Sequence, residues 1–344
     1  MRVYHSPKSL LHAPSNYYRR GAIVDHPEQA RRYSLLRDAA AGAGHQLVEA
    51  GDAGLEPIAA VHDADYLAFL ETAWSRRGEI PGFGHEIGSS HFARHHMHKP
   101  PVGILGQIGY YMADTSTPIQ EGTWASIYAS AQVAISAADA VSAGQVRHAY
   151  ALCRPPGHHA FTNSGAGFCF LNNTAIAARR LAARLGGPVA VLDIDVHHGN
   201  GTQQIFYADP SVLTVSIHAS PENYYPFYIG YADETGSGDG EGFNVNLPLP
   251  EGSKDDLWLA TIDRANARLR DFAPKAVAVA LGFDASEYDP SGAFKVTTPG
   301  FARAAELIAG LGLPTVLLQE GGYLSDVLAR NLVTFLDRFQ ATHI

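Results

Sequence analysis

Val189-Ala-Val-Leu-Asp193-Ile-Asp195-Val-His197-His-Gly-Asn200-Gly201 is a short apolar run that turns polar at its end. Its part from Val189 to Asp195 is apolar and β-branched and reads as a buried strand. Similar runs occur at 148–153, 212–218, 276–282 and 315–319. Stretches with helical spacing lie between them, at 123–143, 172–185 and 253–269, and Thr298-Pro299 opens another running to 309. Strands alternating with helices predict an α/β fold, a central parallel sheet with helices on both faces. In such a sheet, ligands bind beyond the carboxyl ends of the strands. The polar motifs of this chain fall there, each just past an expected strand.

Side chains alternate along a strand, so Asp193, Asp195 and His197 are expected to share a direction at the end of theirs. Asp195 and His197 can converge on one cation, and Asp284, which follows another expected strand, can reach the same place from the side. Two aspartates and a histidine suit Zn²⁺, Fe²⁺, Co²⁺ or Mn²⁺ and leave a position open for water and substrate. A purely structural ion-pair network is the plainer alternative. Burying these carboxylates without a cation is costly, which favours the metal. Arg154-Pro-Pro-Gly-His158-His159 sets two histidines on a tight turn. One can take a proton while the other stays charged, provided each has a partner on its other nitrogen. Asp193 is the candidate for His158 and Asn200 for His159. Glu320-Gly-Gly-Tyr323 places a hydroxyl on a mobile turn, where it can donate to a developing oxyanion.

The chain has 344 residues, enough for two domains or one large α/β domain. Its hydrophobic content of 46% and charged content of 17% support a large core. The net charge of −9 argues against a nucleic-acid surface and mildly favours a cationic substrate. Cys153 and Cys169 sit in apolar runs and read as buried thiols in a reducing compartment. No signal-type segment opens the chain and no apolar run is long enough to cross a membrane. A cytoplasmic protein without membrane or nucleic-acid partners is expected. The stretch 78–121 is rich in Gly, Pro and His and lacks a sustained period, the mark of a functional loop or an interface. His91, His95, His96 and His98 invite a second metal site, but no Cys or carboxylate joins them at ligand spacing, so a surface loop is the better reading. The stretch 220–244, with Tyr224, Tyr225, Phe227 and Tyr228, reads as a long active-site loop.

Taken together, the Arg-Pro-Pro-Gly-His-His turn, Gly167-Phe-Cys-Phe-Leu-Asn-Asn173, the run from Asp193 to Gly201, Leu281-Gly-Phe-Asp284 and Glu320-Gly-Gly-Tyr323 resemble the histone deacetylase superfamily. The likeness covers nearly the whole chain and is greatest to its bacterial acetylpolyamine amidohydrolases. It implies a single domain over 1–344 with the arginase/deacetylase fold and a sheet of about eight strands. It implies zinc on Asp195, His197 and Asp284, with Fe²⁺ or Co²⁺ as substitutes. His159 is implied as general base and acid, His158 as its electrostatic partner, and Tyr323 as the group that polarises the acetyl carbonyl. Phe168 and Tyr225 would wall an aromatic slot, with the Gly167 carbonyl beside it. A structural potassium ion is implied near Asp193, with Asp195, His197, Ser216 and Ile217 around it. A second is implied at Phe206, Asp209, Val212 and Phe243. The stretch 78–121 matches a loop that forms a homodimer and narrows the mouth, admitting a small acetylated amine. Polyamine-selective members carry an acidic residue before Gly-Gln-Ile-Gly-Tyr-Tyr, where this chain has Leu105, and another near the N-terminus, where it has Tyr17. The expected activity is therefore hydrolysis of the acetyl amide of acetylated polyamines, diamines or related small amines. An acetyl-lysine deacetylase, a manganese ureohydrolase and an inactive metabolite binder are the alternatives.

Overall fold

Along Val277-Ala-Val-Ala-Leu281 every residue is buried, yet successive side chains enter different layers. Val277, Val279 and Leu281 join one hydrophobic core, and Ala278 joins the other. Val316 and Leu318 are divided from Leu317 in the same way, and Val189 and Val191 from Ala190 and Leu192. A strand apolar on both faces has to be covered on both faces, which is why these runs show no polar alternation. Burying each Val or Leu contributes about 1.5–3 kcal/mol, so the strand bodies are anchored and their polar ends are held in place.

The computed structural model describes residues 1–94, 99–290 and 292–343. Its strands are β1 (Arg2–His5), β2 (Asn16–Arg19), β3 (Ala22–Asp25), β4 (Gln46–Glu49), β5 (His148–Ala151), β6 (Val189–Asp193), β7 (Val212–Ala219), β8 (Asn244–Leu249), β9 (Val277–Leu281) and β10 (Thr315–Gln319). Eight of them form one sheet in the order β4-β1-β5-β10-β9-β6-β7-β8, and every adjacent pair is parallel. β2 and β3 form a separate antiparallel hairpin. Helices Ala64–Thr72, Thr123–Ser142 and Asn173–Leu185 cover one face. Helices Arg31–Gly42, Asp255–Phe272, Thr298–Ala309 and Leu328–Thr342 cover the other. Two helix starts follow from local chemistry. Asn172 Oδ1 accepts from the Ala175 N–H at 2.9 Å, and Thr297 Oγ1 accepts from the Gly300 N–H at 3.1 Å, with proline in the first turn. Among the described residues no helix is long and apolar enough to cross a membrane.

The expected elements appear with small shifts, and two readings change. β6 ends at Asp193 rather than Asp195, because the Asp195 N–H turns back onto Asp193 Oδ1 at 3.0 Å. The stretch 78–121 is also not wholly irregular, since Ile104–Tyr111 is a helix. Ile104, Ile108 and Tyr111 bury on one side of it. Gly109 lets it dock, because a Cβ there would lie 1.9 Å from the His91 carbonyl oxygen. His91 is bonded to Ser90 Oγ at 2.9 Å. His95, His96 and His98 lie outside the described residues.

Candidate active site

β5, β10, β9 and β6 are consecutive in the sheet. Past their carboxyl ends come, in turn, the His158-His159 turn, the Glu320–Tyr323 segment, Asp284, and the Asp195–His197 segment. Residues spread over 166 positions of sequence, from His158 to Tyr323, thus meet above four neighbouring strands.

Asp195, His197 and Asp284 offer ligand atoms that all lie within 4.8 Å of one another. His197 Nδ1 stands 3.1 Å from Asp195 Oδ1 and 3.1 Å from Asp284 Oδ2. A tetrahedral cation with bonds of about 2.0–2.1 Å sets its ligands roughly 3.3 Å apart, close to this spacing. Both carboxylates are fully buried and share the His197 imidazole, with His158 Nε2 3.8 Å from Asp195 Oδ1 as well. Burial, and next the charge of Asp195, raise the Asp284 carboxyl to about 7. A divalent cation relieves that penalty, so the donor set fits the metal that the sequence pattern implies. The remaining carboxylate atoms are fixed by backbone. Val196 N–H donates to Asp284 Oδ1 at 3.1 Å and Gly321 N–H donates to Asp195 Oδ2 at 2.8 Å. A Cβ at Gly321 would sit 2.1 Å from Asp284 Oδ2, so only glycine allows the chain to pass there.

The two histidines are buried and differently partnered. His158 Nδ1 meets Asp193 Oδ2 at 2.9 Å, and His159 Nδ1 meets Asn200 Oδ1 at 2.7 Å. Their rings lie 4.1 Å apart. Burial pushes His158 down, but Asp193, Asp195 and Glu320 outweigh it and hold the imidazole well above its ordinary range. Burial, and then the charges of His158 and His197, push His159 well below its range. One ring is thus kept charged and its neighbour neutral. Glu320 positions the turn: its Oε2 accepts from the Gly157 and His158 N–H groups at 2.6 and 3.1 Å, and its Oε1 from the Thr174 hydroxyl at 2.8 Å.

The Tyr323 turn is clamped rather than mobile. Arg32 donates through Nε to the Gly322 carbonyl at 2.6 Å and through Nη2 to the Glu320 carbonyl at 2.8 Å. Its guanidinium lies 4.9 Å from the centre of the Tyr323 ring. The Tyr323 N–H donates to Asp289 Oδ2 at 2.7 Å. Burial, and then the charge of Asp284, push the Tyr323 phenol up, so it keeps its proton.

With this geometry in view, comparison with known proteins is decisive. The histone deacetylase domain profile matches residues 26–338. The chain belongs to the histone deacetylase family. An acetylpolyamine amidohydrolase of Burkholderia pseudomallei (strain 1710b) is 46% identical over 344 residues, 99% of each chain. Acetylpolyamine amidohydrolase 1 of Pseudomonas aeruginosa is 44% identical over 298 residues, 86% of each chain. The crystal structure of acetylpolyamine aminohydrolase from Burkholderia pseudomallei superposes with a TM-score of 0.96, at 46% identity and 99% coverage of both chains. The HDA15 HD domain superposes at 0.80, with 28% identity, over 100% of this chain and 90% of that one. The eight-stranded parallel sheet is thus the arginase/deacetylase fold, and the protein is a hydrolase of linear amides.

In this deacetylase a cavity of about 310 Å³ descends to the cluster of Asp195 and His197. Phe168, Tyr225, Tyr224 and Tyr323 line it, with Gly167 beside them. The Phe168 ring meets Tyr323 at 5.9 Å, edge to face, and Tyr225 meets His159 at 5.0 Å. Tyr224 stacks on the His197 ring at 5.0 Å. Asp114, which no motif announced, holds this wall. Its Oδ2 accepts from the Gly167 N–H at 2.9 Å and from the Tyr225 hydroxyl at 2.8 Å.

The residues for which the family resemblance implies potassium fall in two groups. Asp193 and Ser216 are register partners on β6 and β7, with Ile217 next along β7. Ser216 Oγ also meets His218 Nδ1 at 2.8 Å. Phe206, Asp209 and Val212 share one turn, with Asp209 N–H donating to Phe206 O at 2.9 Å and Val212 N–H to Asp209 O at 3.4 Å. The Phe243 carbonyl accepts from Thr214 N–H at 2.9 Å. Arg179 holds the Asp209 carboxylate at 2.6 Å, so that turn offers mainly backbone oxygens.

Beneath the Tyr323 turn lies a buried ion triad. Glu28 Oε1 is 2.8 Å from Arg32 Nη1 and 2.8 Å from Arg154 Nε. Burial pushes Glu28 up, but Arg154 and Arg32 outweigh it and bring the carboxyl to about 2, below its usual 4.5. A carboxyl lowered on folding stabilises the native state above about pH 4.5 and loses that contribution as pH falls through 2. Glu28→Gln is expected to lower stability at pH 7 by about 3–5 kcal/mol, because two buried guanidiniums lose their counter-charge. Urea denaturation at pH 7 and pH 3 checks this: the deficit should be large at pH 7 and smaller at pH 3.

Proposed function

We propose that this deacetylase removes the acetyl group from slender acetylated primary amines, acetylated diamines and polyamines among them, with zinc as its cation. The observation that carries the reading is the aromatic cavity ending on Asp195, His197 and Asp284 with His159 and Tyr323 beside them. A zinc ion on those three ligands supplies Lewis-acid polarisation of the acetyl carbonyl and of the attacking water. The remaining work falls to the chain. His159 Nδ1–H donates to Asn200 Oδ1, which leaves Nε2 free to accept a proton from water. His158, held charged by Asp193, keeps its neighbour neutral until that transfer. The Tyr323 hydroxyl donates to the acetyl oxygen as it gains negative charge. His159 then returns its proton to the leaving amine nitrogen, which departs as free amine beside acetate. Phe168 and Tyr225 hold the aliphatic chain and exclude water from it.

The same reading places a structural potassium ion beside Asp193 and Ser216, and a second at the Phe206–Val212 turn with Phe243. It places a homodimer contact on 78–121, where Val102 is 88% and Leu105 56% exposed. Two buried free cysteines suit a cytoplasmic enzyme. The test is acetate release by zinc-loaded enzyme from N-acetylputrescine, N-acetylcadaverine, acetylspermidine and an acetyl-lysine peptide. The slender amines are expected to lead in kcat/KM by roughly tenfold, about 1.4 kcal/mol of transition-state preference. A peptide that matches them makes the protein a general lysine deacetylase.

A further inference from the structure

The β2–β3 hairpin forms one side of the cavity mouth. Tyr17 and Arg19 fall on the same face of β2, and both line the cavity with Arg20 at the turn. The Tyr17 ring lies 5.6 Å from Phe168, so this face looks into the slot. Arg20 (φ 51°) and Gly21 (φ 88°) supply the two positive φ values that a tight two-residue hairpin turn requires. The hairpin is docked on the wall as well, with the Thr115 hydroxyl donating to the Tyr18 carbonyl at 3.4 Å. Burial, and then the charges of Asp284, Asp195 and Asp289, push the Tyr224 phenol up, and Arg19 acts on it in the opposite sense, so its charge reaches the ring that stacks on His197.

No carboxylate among the described residues pairs directly with these arginines. Among the described residues, neither guanidinium has a hydrogen-bond or ion-pair partner. The cavity is lined by two carboxylates, and both are committed. Asp195 belongs to the metal-ligand cluster. Asp114 accepts from Gly167, Tyr225, Ser116 and Thr117. Asp25 lies at the other end of the hairpin, in register with Asn16. The chain as a whole carries a net charge of −9, so two unpaired arginines at this mouth are a local exception to an acidic protein. That composition favoured a cationic substrate, and the mouth points the other way.

We propose that Arg19, with Arg20, receives a carboxylate at the distal end of the substrate, so that an anion-ended acetylated amine is preferred over one ending in ammonium. The inference rests on the deacetylase reading and narrows its substrate class. A guanidinium presents a planar fork that matches a carboxylate and repels an ammonium.

The test uses three probes built on the same N-pentylacetamide skeleton, two of them with a charged group added at the fifth carbon. ε-Acetamidocaproate ends in carboxylate, N-acetylcadaverine in ammonium, and N-pentylacetamide in a methyl group. The expected order of kcat/KM is carboxylate, then neutral, then ammonium, with roughly tenfold or more between the charged pair. Arg19→Gln is expected to cost the carboxylate probe roughly tenfold, mostly in KM, and to leave N-pentylacetamide within about twofold. Arg19→Lys should restore part of the loss, and high salt should shrink the preference. A preference for ammonium, an equal charged pair, or an equal loss for all three probes in Arg19→Gln overturns the proposal. In each of those cases turnover of N-pentylacetamide leaves the deacetylase reading standing. No acetate from any probe removes that reading and this inference with it.

Discussion

Tyr323→Phe is expected to lower kcat by about 10²–10³, the usual effect of removing one oxyanion donor, with KM, fold and metal content little changed. The substitution deletes one oxygen from a side chain that is 4% exposed. The ring keeps its contacts with Phe168 and with the Arg32 guanidinium, because neither involves the hydroxyl. The backbone clamp at Glu320, Gly322 and Tyr323 is untouched for the same reason. What disappears is a neutral donor, kept protonated by burial and by Asp284, facing the place where the acetyl oxygen gains charge. Steady-state kinetics beside metal analysis checks this. Undiminished kcat removes the tyrosine from the mechanism.

His159→Ala is expected to cost about 10²–10⁴ in kcat, the range for losing a general acid–base group. His159 sits between Asn200 on one side and the His197 ring, at 5.7 Å, on the other. Its neutral form is secured by burial and by the charged His158 at its side. His158 cannot replace it, because that ring is held charged by Asp193 and the neighbouring carboxylates. Asn200→Ala isolates the orienting contribution and is expected to give a smaller loss in kcat than His159→Ala. Equal activity of wild type and His159→Ala, measured by acetate release, contradicts this assignment.

Sequence reading anticipated that these residues meet because the motifs are local: each candidate ligand or proton carrier sits within a few residues of a strand end. Asp195, His197 and Asp284 needed only the strand pattern and the α/β rule to be placed together. The clamp around them was not legible. Arg32 meets the Gly322 carbonyl across 290 residues, and it appears in the sequence as one of two arginines at a helix start. Asp114 is a lone aspartate whose partners, Gly167 and Tyr225, come from two distant loops. The helix Ile104–Tyr111 was hidden by Gly106 and Gly109, which punctuate its pattern, and Gly109 is there because the His91 backbone passes so close. β8 escaped notice as well. It carries Pro248 and alternates polar and apolar residues, as an edge strand can. Tyr323 on a mobile turn was a fair expectation from two glycines, and tertiary contacts overrode it.

The most direct test of the whole account is metal content against turnover. Enzyme stripped with a chelator is titrated with Zn²⁺, and bound metal and acetate release are followed together. The account predicts activity rising in proportion to one ion per chain, with both bound metal and activity lost in Asp284→Asn. Full activity in the stripped enzyme, or a need for two ions per chain, contradicts it.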